Sequence, residues 1–242
     1  MNELAGQTAL VTGGTAGIGL ESARLLARHG AAVIITGRSA ERGAAAAAEL
    51  GGRVRFVAAD LSDLESVESL ARQCGDGIDI LVNNAASFPG ALTVEQDIAS
   101  FESTFDTNVR GAYFLVAAVV PGMLRRGHGA IVNVTSMVAF KGVPGASSYS
   151  ASKAALESLT RTWAAEFGPH GVRVNSVAPG PTATDGVAAE WGDVNDELGR
   201  ALPLGRTAQA AEIAEAVLFL ASPRSSFITG STLHVDGGGA AA

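Results

Sequence analysis

The 242-residue sequence has little of the features that mark secreted or membrane-spanning proteins. Its single cysteine, Cys74, excludes an intramolecular disulfide and a thiolate metal cluster, and is typical of a reducing compartment. The first residues, Met1 to Gly6, have neither the basic start nor the apolar stretch of a secretory signal. The longest apolar run, Ala112 to Leu124, contains Pro121 and Gly122 and is shorter than the roughly 20 residues that span a bilayer. We therefore expect a cytoplasmic protein without a membrane span.

Basic charge and metal-ligand clusters are also scarce. Seventeen Lys and Arg residues against 24 Asp and Glu give a net charge of −7, which disfavours nucleic acid and anionic membranes as partners. The histidines are separated and show no ligand spacing, so we expect no metal site. They are His29, His128, His170 and His234. With 47% hydrophobic and 17% charged residues, the chain has ample material for a core.

Short runs of Val, Ile and Leu alternate along the sequence with longer segments of helical periodicity. This alternation predicts a doubly wound, Rossmann-type α/β fold, with a parallel sheet of about seven strands and helices on both faces. The predicted strands are Thr8 to Val11, Ala32 to Thr36, Val54 to Ala58, Ile78 to Val82, Ala130 to Val134, Val172 to Val177 and Ser231 to Val235. The predicted helices are Ile18 to His29, Ala40 to Leu50, Asp63 to Cys74, Phe101 to Arg126, Ser148 to Phe167 and Ala210 to Ala221. Ser62 with Glu65 is interpreted as the cap of the third helix.

The sequence has no Pro-, Gly- or Ser-rich linker, which predicts one domain over residues 1–242. The least regular stretch is residues 179–206, where glycine and proline recur. A long irregular segment in a compact domain is usually a binding loop or a lid. We expect this stretch to be a loop that covers the substrate.

A glycine-rich turn follows the first predicted strand and opens the first predicted helix. It reads Thr12-Gly13-Gly14-Thr15-Ala16-Gly17-Ile18-Gly19. Glycines here allow a tight turn and let backbone N–H groups approach a pyrophosphate, whose charge the helix N-terminus stabilises. This context predicts a dinucleotide site, while a flexible turn without a ligand is the alternative for the motif taken alone.

The end of the second predicted strand bears on the choice of dinucleotide. An acidic residue there would bind the ribose 2′-hydroxyl of NAD, whereas an arginine pairs with the 2′-phosphate of NADP. Gly37 and Arg38 stand at this place and favour NADP. NAD is the alternative if Arg38 stacks on the adenine or lies in solvent.

Three side chains predict acid–base chemistry. Tyr149 and Lys153 are four residues apart at the start of a predicted helix and share one face, so the ammonium would favour the phenolate. Ser136 ends an apolar strand, at the sheet edge where open α/β sheets bind ligands, and its hydroxyl suits a developing oxyanion. Taken singly, these residues also fit a solvated helix face and a turn cap.

Together these motifs resemble the short-chain dehydrogenase/reductase family, in its single-domain branch of about 250 residues, and the resemblance covers essentially the whole chain. It implies an NAD(P)-dependent oxidoreductase that interconverts a ketone and a secondary alcohol by hydride transfer. The implied catalytic tetrad is Asn108, Ser136, Tyr149 and Lys153. The implied cofactor contacts are Gly13, Thr15, Gly17, Ile18, Gly19, Arg38, Asp60, Leu61, Asn84, Tyr149, Lys153, Pro179, Gly180, Thr182 and Thr184.

The resemblance also assigns roles to single positions and has one exception. It implies that Asp60 contacts the adenine, that Asn108 holds a water linking Lys153 to solvent, and that Thr184 contacts the nicotinamide carboxamide. Ala86 stands where the family usually has glycine, which puts the fine backbone geometry near the nicotinamide in doubt.

Several other functions compete with this one. A dinucleotide-binding sensor or scaffold would have no need of an acid–base pair. Nucleotide-sugar epimerases of similar type usually have a larger C-terminal domain, and enoyl reductases space their tyrosine and lysine further apart. A serine hydrolase fits poorly because no Gly-x-Ser-x-Gly surrounds Ser136.

The predicted substrate pocket is apolar. Its candidate lining residues are Phe88, Met137 to Val143, Val187 and Trp191. This mix favours a neutral or partly apolar ketone or alcohol over a highly anionic metabolite, although apolar loop residues are as often simple packing. A 3-oxoacyl thioester, a sugar or polyol, and a steroid or xenobiotic ketone all stay open.

The family resemblance also implies self-association. Its members commonly form tetramers through the long helices that here start near Phe101 and Ser148. We expect a homo-oligomer, and a tetramer rather than a dimer.

Overall fold

The computed structural model describes residues 2–241. The strands are β1 (Thr8–Thr12), β2 (Ala32–Gly37), β3 (Val54–Ala58), β4 (Ile80–Asn83), β5 (Gly129–Val134), β6 (Val172–Pro179), β7 (Thr182–Ala183), β8 (Ala208–Gln209) and β9 (Thr232–Val235). The helices are α1 (Gly17–Arg28), α2 (Ala40–Leu50), α3 (Leu64–Cys74), α4 (Ile98–Phe105), α5 (Ala112–Arg126), α6 (Ser147–Phe167), α7 (Asp185–Trp191), α8 (Val194–Arg200) and α9 (Ala210–Ala221).

Seven strands form one sheet in the order β3-β2-β1-β4-β5-β6-β9, and every pairing in it is parallel. The order reverses between β1 and β4, so a crevice opens at the carboxyl ends of these strands. The predicted fold class, a doubly wound sheet of about seven strands, is confirmed. β7 and β8 pair separately beside this edge.

Two apolar cores cover the two faces of the sheet. Successive strand residues point to opposite faces, so Ile35 packs with α1 and α9 while Ile34 packs with α3, α5 and α6. Because both faces are covered, the strands are continuous Val, Ile and Leu runs rather than alternating ones.

Helix starts differ from the sequence-based boundaries where a different side chain supplies the cap. Asp63, not Ser62, caps α3 and accepts a hydrogen bond from Glu65 N at 3.0 Å. The Ser62 hydroxyl instead donates to the Asp60 carboxylate at 2.8 Å. The helix predicted from Phe101 begins at Ile98, because Asp97 caps it through Ser100 N at 2.9 Å.

The helix from Ile98 to Arg126 is interrupted by a π-helical turn at Asp106–Gly111. At 29 residues it is long and apolar enough to span a membrane by length and composition, and half of its most apolar window is buried. Leu115, Val119 and Met123 lie in the core beneath the sheet, which is the pattern of a core helix in a globular protein.

The stretch 179–206, expected to be an irregular loop, contains β7, α7 and α8. Thr184 caps α7 by accepting a hydrogen bond from Val187 N at 3.2 Å. The cap stabilises the first turn of α7 although glycine and proline are frequent in this stretch. The expectation of an irregular loop is therefore wrong for much of this stretch, which is hereafter called the 179–206 segment.

Candidate active site

A cavity of about 360 Å³ opens at the carboxyl edge of the sheet. It lies at the ends of β1, β5 and β6 and is bounded by the 179–206 segment and by residues 84–91, hereafter the 84–91 segment. Its lining includes Gly13, Ala16, Gly17, Ile18, Asn84, Ala85, Ala86, Phe88, Ser136, Met137, Val138, Val143, Tyr149, Lys153, Pro179, Gly180, Thr182, Thr184, Val187, Trp191, Asn195 and Leu198. The motifs of the glycine turn and the Ser136–Tyr149–Lys153 group thus meet in one cavity.

The glycine turn needs glycine for space as well as for conformation. Gly13 and Gly17 have φ of 63° and 53°, in the left-handed region. A β-carbon on Gly19 would lie 2.2 Å from the Gly13 carbonyl oxygen. Ala16, the residue before α1, offers no side-chain cap, and the first turn of α1 contains no acidic residue. The first N–H groups of α1 therefore face the cavity without a side-chain partner, which fits a pyrophosphate.

Hydrogen bonds of Thr12 and Asn84 hold the glycine turn in place. Thr12 Oγ1 donates to the Val82 carbonyl and accepts from Asn84 N at 2.9 Å and Ala85 N at 3.0 Å. Asn84 Nδ2 donates to the carbonyls of Thr12 at 2.9 Å and Gly13 at 3.2 Å. The Asn84 amide thus shapes the turn by bonding to the protein backbone.

The end of β2 leaves a cation beside the turn. A β-carbon on Gly37 would lie 3.1 Å from the Thr15 side chain, so the two residues approach closely. Arg38 follows, is exposed, and forms no ion pair or hydrogen bond with any of residues 2–241. Its guanidinium fits a 2′-phosphate at this position.

Asp60 and Leu61 follow β3 in different environments. The Asp60 carboxylate accepts hydrogen bonds from Ser62 N and from the Ser62 hydroxyl. The Leu61 side chain is buried in the core with α3 and α5. Neither residue lines the cavity described above.

Ser136, Tyr149 and Lys153 converge inside the cavity. The Ser136 side chain lies close enough to the Tyr149 hydroxyl to favour the phenolate. Lys153, at 2% exposure, donates from Nζ to the Val134 carbonyl at 2.8 Å, and this nitrogen lies 5.6 Å from the centre of the Tyr149 ring. Val134 is the last residue of β5, and Ser136 follows it. Tyr149 and Lys153 lie on α6.

Burial has the largest effect on the pKa values of Tyr149 and Lys153. It raises the pKa of Tyr149 to about 12, against the opposing effect of Ser136. It lowers the pKa of Lys153 to about 8. In the protein without a bound nucleotide, desolvation therefore outweighs the effects that lower the Tyr149 pKa, and the Lys153 ammonium is bonded to the Val134 carbonyl.

Asn108 lies in the π-helical turn and is 1% exposed. Its Oδ1 accepts from Ser87 N at 2.7 Å, and its Nδ2 donates to the Ser87 carbonyl at 2.8 Å and to the Ser152 hydroxyl at 2.9 Å. The Asn108 side chain is thus a link between the 84–91 segment and α6, which carries Tyr149 and Lys153.

The residues after β6 connect the sheet to the 179–206 segment. Gly180 N donates to the Val235 carbonyl at 3.0 Å, and Thr182 Oγ1 donates to the Gly180 carbonyl at 2.9 Å. A β-carbon on Gly17 would lie 3.0 Å from the Thr184 methyl group. Thr184 therefore joins the start of α7 to the glycine turn.

The 179–206 segment closes against the 84–91 segment. Gly90 N donates to Glu190 Oε1 at 3.1 Å, and a β-carbon on Gly90 would lie 3.5 Å from the Trp191 ring. Phe88 packs edge-on against Tyr149, with ring centres 6.1 Å apart. The contact between the two segments thus covers the phenol with aromatic surface.

Glu157 is a buried residue behind the site that sequence analysis missed. It is 9% exposed and accepts hydrogen bonds from the hydroxyls of Thr135, at 2.6 Å, and Thr232. It lies one helical turn after Lys153, and this spacing was the available signal. Through Thr135 it holds the backbone immediately before Ser136.

Ala86 lines the cavity where glycine was expected. Among residues 2–241, every residue with a positive φ is a glycine, so the backbone at Ala86 has an ordinary conformation. The position does not require the conformational freedom of glycine.

Metal ligands are not gathered in the part of the chain described. Within residues 2–241, no group of three or more His, Cys, Asp or Glu side chains is arranged to hold a metal ion.

Comparisons with known proteins match nearly the whole chain. A family model described as "Enoyl-(Acyl carrier protein) reductase" matches residues 13–239. The 3-oxoacyl-[acyl-carrier-protein] reductase FabG of Chlamydia muridarum is 39% identical over 243 residues, which cover 97% of this chain and 98% of the relative. A solved short chain dehydrogenase/reductase family protein is 64% identical with a TM-score of 0.95, covering 99% of this chain and 100% of that one. A protein of Beutenbergia cavernae, proposed to be an NAD(P)-dependent gluconate 5-dehydrogenase and solved with NADP at low occupancy, is 37% identical with a TM-score of 0.92 and covers 99% and 98%.

Proposed function

The chain belongs to the short-chain dehydrogenase/reductase family, and from this membership we propose that Tyr149 is the proton donor with which it reduces a ketone to a secondary alcohol. It is an NAD(P)-dependent oxidoreductase acting on a small molecule, and NADP is its cofactor. The observation that carries the assignment of Tyr149 is the convergence of the Ser136 and Tyr149 hydroxyls beside the buried Lys153.

The residues of the cavity fit NADP. The uncapped first turn of α1 and the space kept open by Gly13 and Gly17 would hold the pyrophosphate. Arg38 would pair with the 2′-phosphate, and Thr184 lies beside Gly17 at the nicotinamide end. When bound, NADP supplies the hydride or accepts it.

Proton transfer is the task of Tyr149. Because burial holds its pKa near 12, the phenol keeps its proton throughout the neutral range and is ready to donate it to a carbonyl oxygen. Ser136, beside the phenol, would donate a second hydrogen bond to the same oxygen. Oxidation of an alcohol reverses the transfer and requires the phenolate.

Lys153 and Asn108 support Tyr149 in different ways. The Lys153 ammonium lies 5.6 Å from the ring and would stabilise the phenolate whenever the lysine is protonated. Asn108 binds Ser87 and Ser152 and is a positioning residue, since it joins α6 to the 84–91 segment.

The test is consumption of NADPH at 340 nm with a panel of ketones, beside a titration of NADPH and NADH followed by fluorescence. We expect NADPH binding with ketone turnover. Binding without turnover of any ketone or alcohol would favour the sensor or scaffold, and absence of nucleotide binding would overturn the assignment.

A second candidate, reduction of a carbon–carbon double bond, comes from the description of the matching family model. The spacing of Tyr149 and Lys153 disfavours it, because the two residues are four apart on one helix face. A crotonyl thioester and an acetoacetyl thioester distinguish the two reactions, and we expect turnover of the second only.

The assembly is proposed to be a homotetramer in the cytoplasm. Large apolar side chains on the helix from Ile98 to Arg126 are exposed at 44–76%, which favours burial between subunits. They are Ile98, Phe101, Tyr113 and Phe114. Light scattering on the purified protein tests this; a monomer at micromolar concentration would contradict it.

A further inference from the structure

We propose that the substrate is a free, uncharged ketone with an apolar body bound against Phe88 and Trp191, rather than an acyl thioester of coenzyme A or of an acidic carrier protein. This inference rests on the proposed ketone reduction and narrows its substrate class.

The lining on the substrate side of Ser136 and Tyr149 is mostly apolar. Its apolar residues are Phe88, Met137, Val138, Val143, Val187, Trp191 and Leu198. Lys153 is the one charged residue that lines the cavity within residues 2–241, and its ammonium is bonded to the Val134 carbonyl. A carboxylate or phosphate in this part of the cavity would lose its hydration without gaining a cation.

The same lining offers little to a polyhydroxylated substrate. Asn195 lines the apolar part, and its Nδ2 donates to the Thr182 carbonyl at 3.4 Å. A site built to bind several hydroxyl groups would present several polar side chains, because discrimination for a hydroxyl comes from buried partners. The aromatic surface of Phe88 and Trp191 favours a hydrocarbon body instead.

The segment that bounds one side of the cavity is acidic. The 179–206 segment carries five carboxylates, and of its two arginines Arg206 is paired with Glu212 at 2.8 Å, which leaves Arg200. The five are Asp185, Glu190, Asp193, Asp196 and Glu197. Asp196 and Glu197 are exposed and lie between the lining residues Asn195 and Leu198.

The other sides of the entrance do not reverse this charge. The chain that follows the 84–91 segment adds two carboxylates, Glu95 and Asp97, whereas the stretch after Ser136 adds one cation, Lys141. An acidic carrier protein or the phosphates of coenzyme A would thus approach a rim of like charge, which slows association and weakens binding.

A matched pair of thioesters tests the proposal. Acetoacetyl-coenzyme A and acetoacetyl-N-acetylcysteamine share the reacting group, but the second lacks the nucleotide and its phosphates. We expect kcat/KM for the cysteamine thioester to exceed that for the coenzyme A thioester by roughly tenfold or more at low salt. The ratio should shrink as salt screens the rim.

Charge-neutralising variants identify the cause. The double variant Asp196→Asn, Glu197→Gln should raise kcat/KM for the coenzyme A thioester and leave that for the cysteamine thioester unchanged. The control is Glu65→Gln, Glu68→Gln, which removes two exposed carboxylates from α3 and should change neither value.

A third variant tests the apolar contact. Trp191→Ala should raise KM for a phenyl-bearing β-keto ester by roughly tenfold, a loss of about 1.4 kcal/mol, and leave NADPH affinity unchanged. KM for the methyl-bearing ester should change less, because its smaller body reaches less of the ring.

The outcomes distinguish a failure of this inference from a failure of the proposed function. Equal or faster turnover of the coenzyme A thioester would overturn this inference and leave ketone reduction standing. NADPH binding without turnover of any thioester or keto ester would instead overturn the proposed function.

Discussion

The two halves of the cavity are held by very different numbers of contacts. Around the glycine turn, Thr12 and Asn84 take part in five hydrogen bonds with the backbone, and added β-carbons would collide. The substrate half closes where Gly90 N meets Glu190, beside apolar contacts of Phe88 and Trp191. Hydrogen bonds therefore hold the half around the glycine turn, whereas apolar packing mainly holds the substrate half. Variants should therefore damage nucleotide binding and ketone binding separately.

Tyr149→Phe has the largest expected effect, because Tyr149 lies where the two halves meet. Removing the hydroxyl removes the proton donor, and we expect kcat for ketone reduction to fall by about 10² to 10⁴. The NADPH dissociation constant should stay near its original value, as fluorescence titration would measure. Tyr113→Phe removes the other tyrosine and is the matched control. Near-original turnover in Tyr149→Phe would exclude Tyr149 as the acid.

The pKa of Tyr149 reports how far water is excluded from the place where the two halves of the cavity meet. Burial raises its pKa from 10.0 to about 12, so the ratio of phenolate to phenol at a given pH falls about a hundredfold. In Tyr113→Phe, Tyr149 is the remaining tyrosine, and absorbance at 295 nm should show almost no tyrosinate at pH 10. Half-ionisation at pH 10 would mean that water reaches the phenol.

The same shift has a consequence for stability at high pH. Since the pKa is raised in the folded protein, the folded state retains the Tyr149 proton between pH 10 and about 12 while the unfolded chain loses it. This contribution to stability is complete below pH 10 and decreases through that window.

Arg38→Ala affects the nucleotide half alone. A charge-assisted contact with the 2′-phosphate is worth about 1.5 to 3 kcal/mol, so NADPH affinity should fall roughly tenfold to a hundredfold. NADH affinity should not change. Arg42→Ala, at another exposed arginine nearby in sequence, is the control. Equal losses for both nucleotides would assign Arg38 to adenine stacking.

Glu190→Ala has the smallest expected effect and acts on the substrate half. Loss of the hydrogen bond from Gly90 N costs about 1 kcal/mol, so KM for a ketone should rise roughly fivefold with NADPH affinity unchanged. Asp193→Ala removes a neighbouring carboxylate that makes no side-chain cap and serves as the control. A parallel loss of NADPH affinity would show that the halves are coupled, with Thr184 on Gly17 as the contact that couples them.

The sequence predicts the structure well where one residue type meets one physical requirement. Glycine at 13 and 17 satisfies a left-handed backbone, and the apolar strand runs follow from burial on both faces. It was less informative in the 179–206 segment, where recurring glycine and proline indicated an irregular loop although Thr184 caps a short helix. It also missed Glu157, whose buried carboxylate has meaning only beside Thr135 and Thr232, which are distant in sequence.

The π-helical turn at Asp106–Gly111 has a consequence for the evolution of the chain. Such a turn accommodates one residue more than the α-helical ladder around it, and here it presents Asn108 to Ser87 and Ser152. Deleting one residue from the turn would restore a regular helix and keep the faces of the flanking helices in place. Leu115 and Val119 would stay in the core, but the Asn108 link would be lost. Selection should therefore remove single-residue deletions in this turn because of their effect on the site rather than on the core.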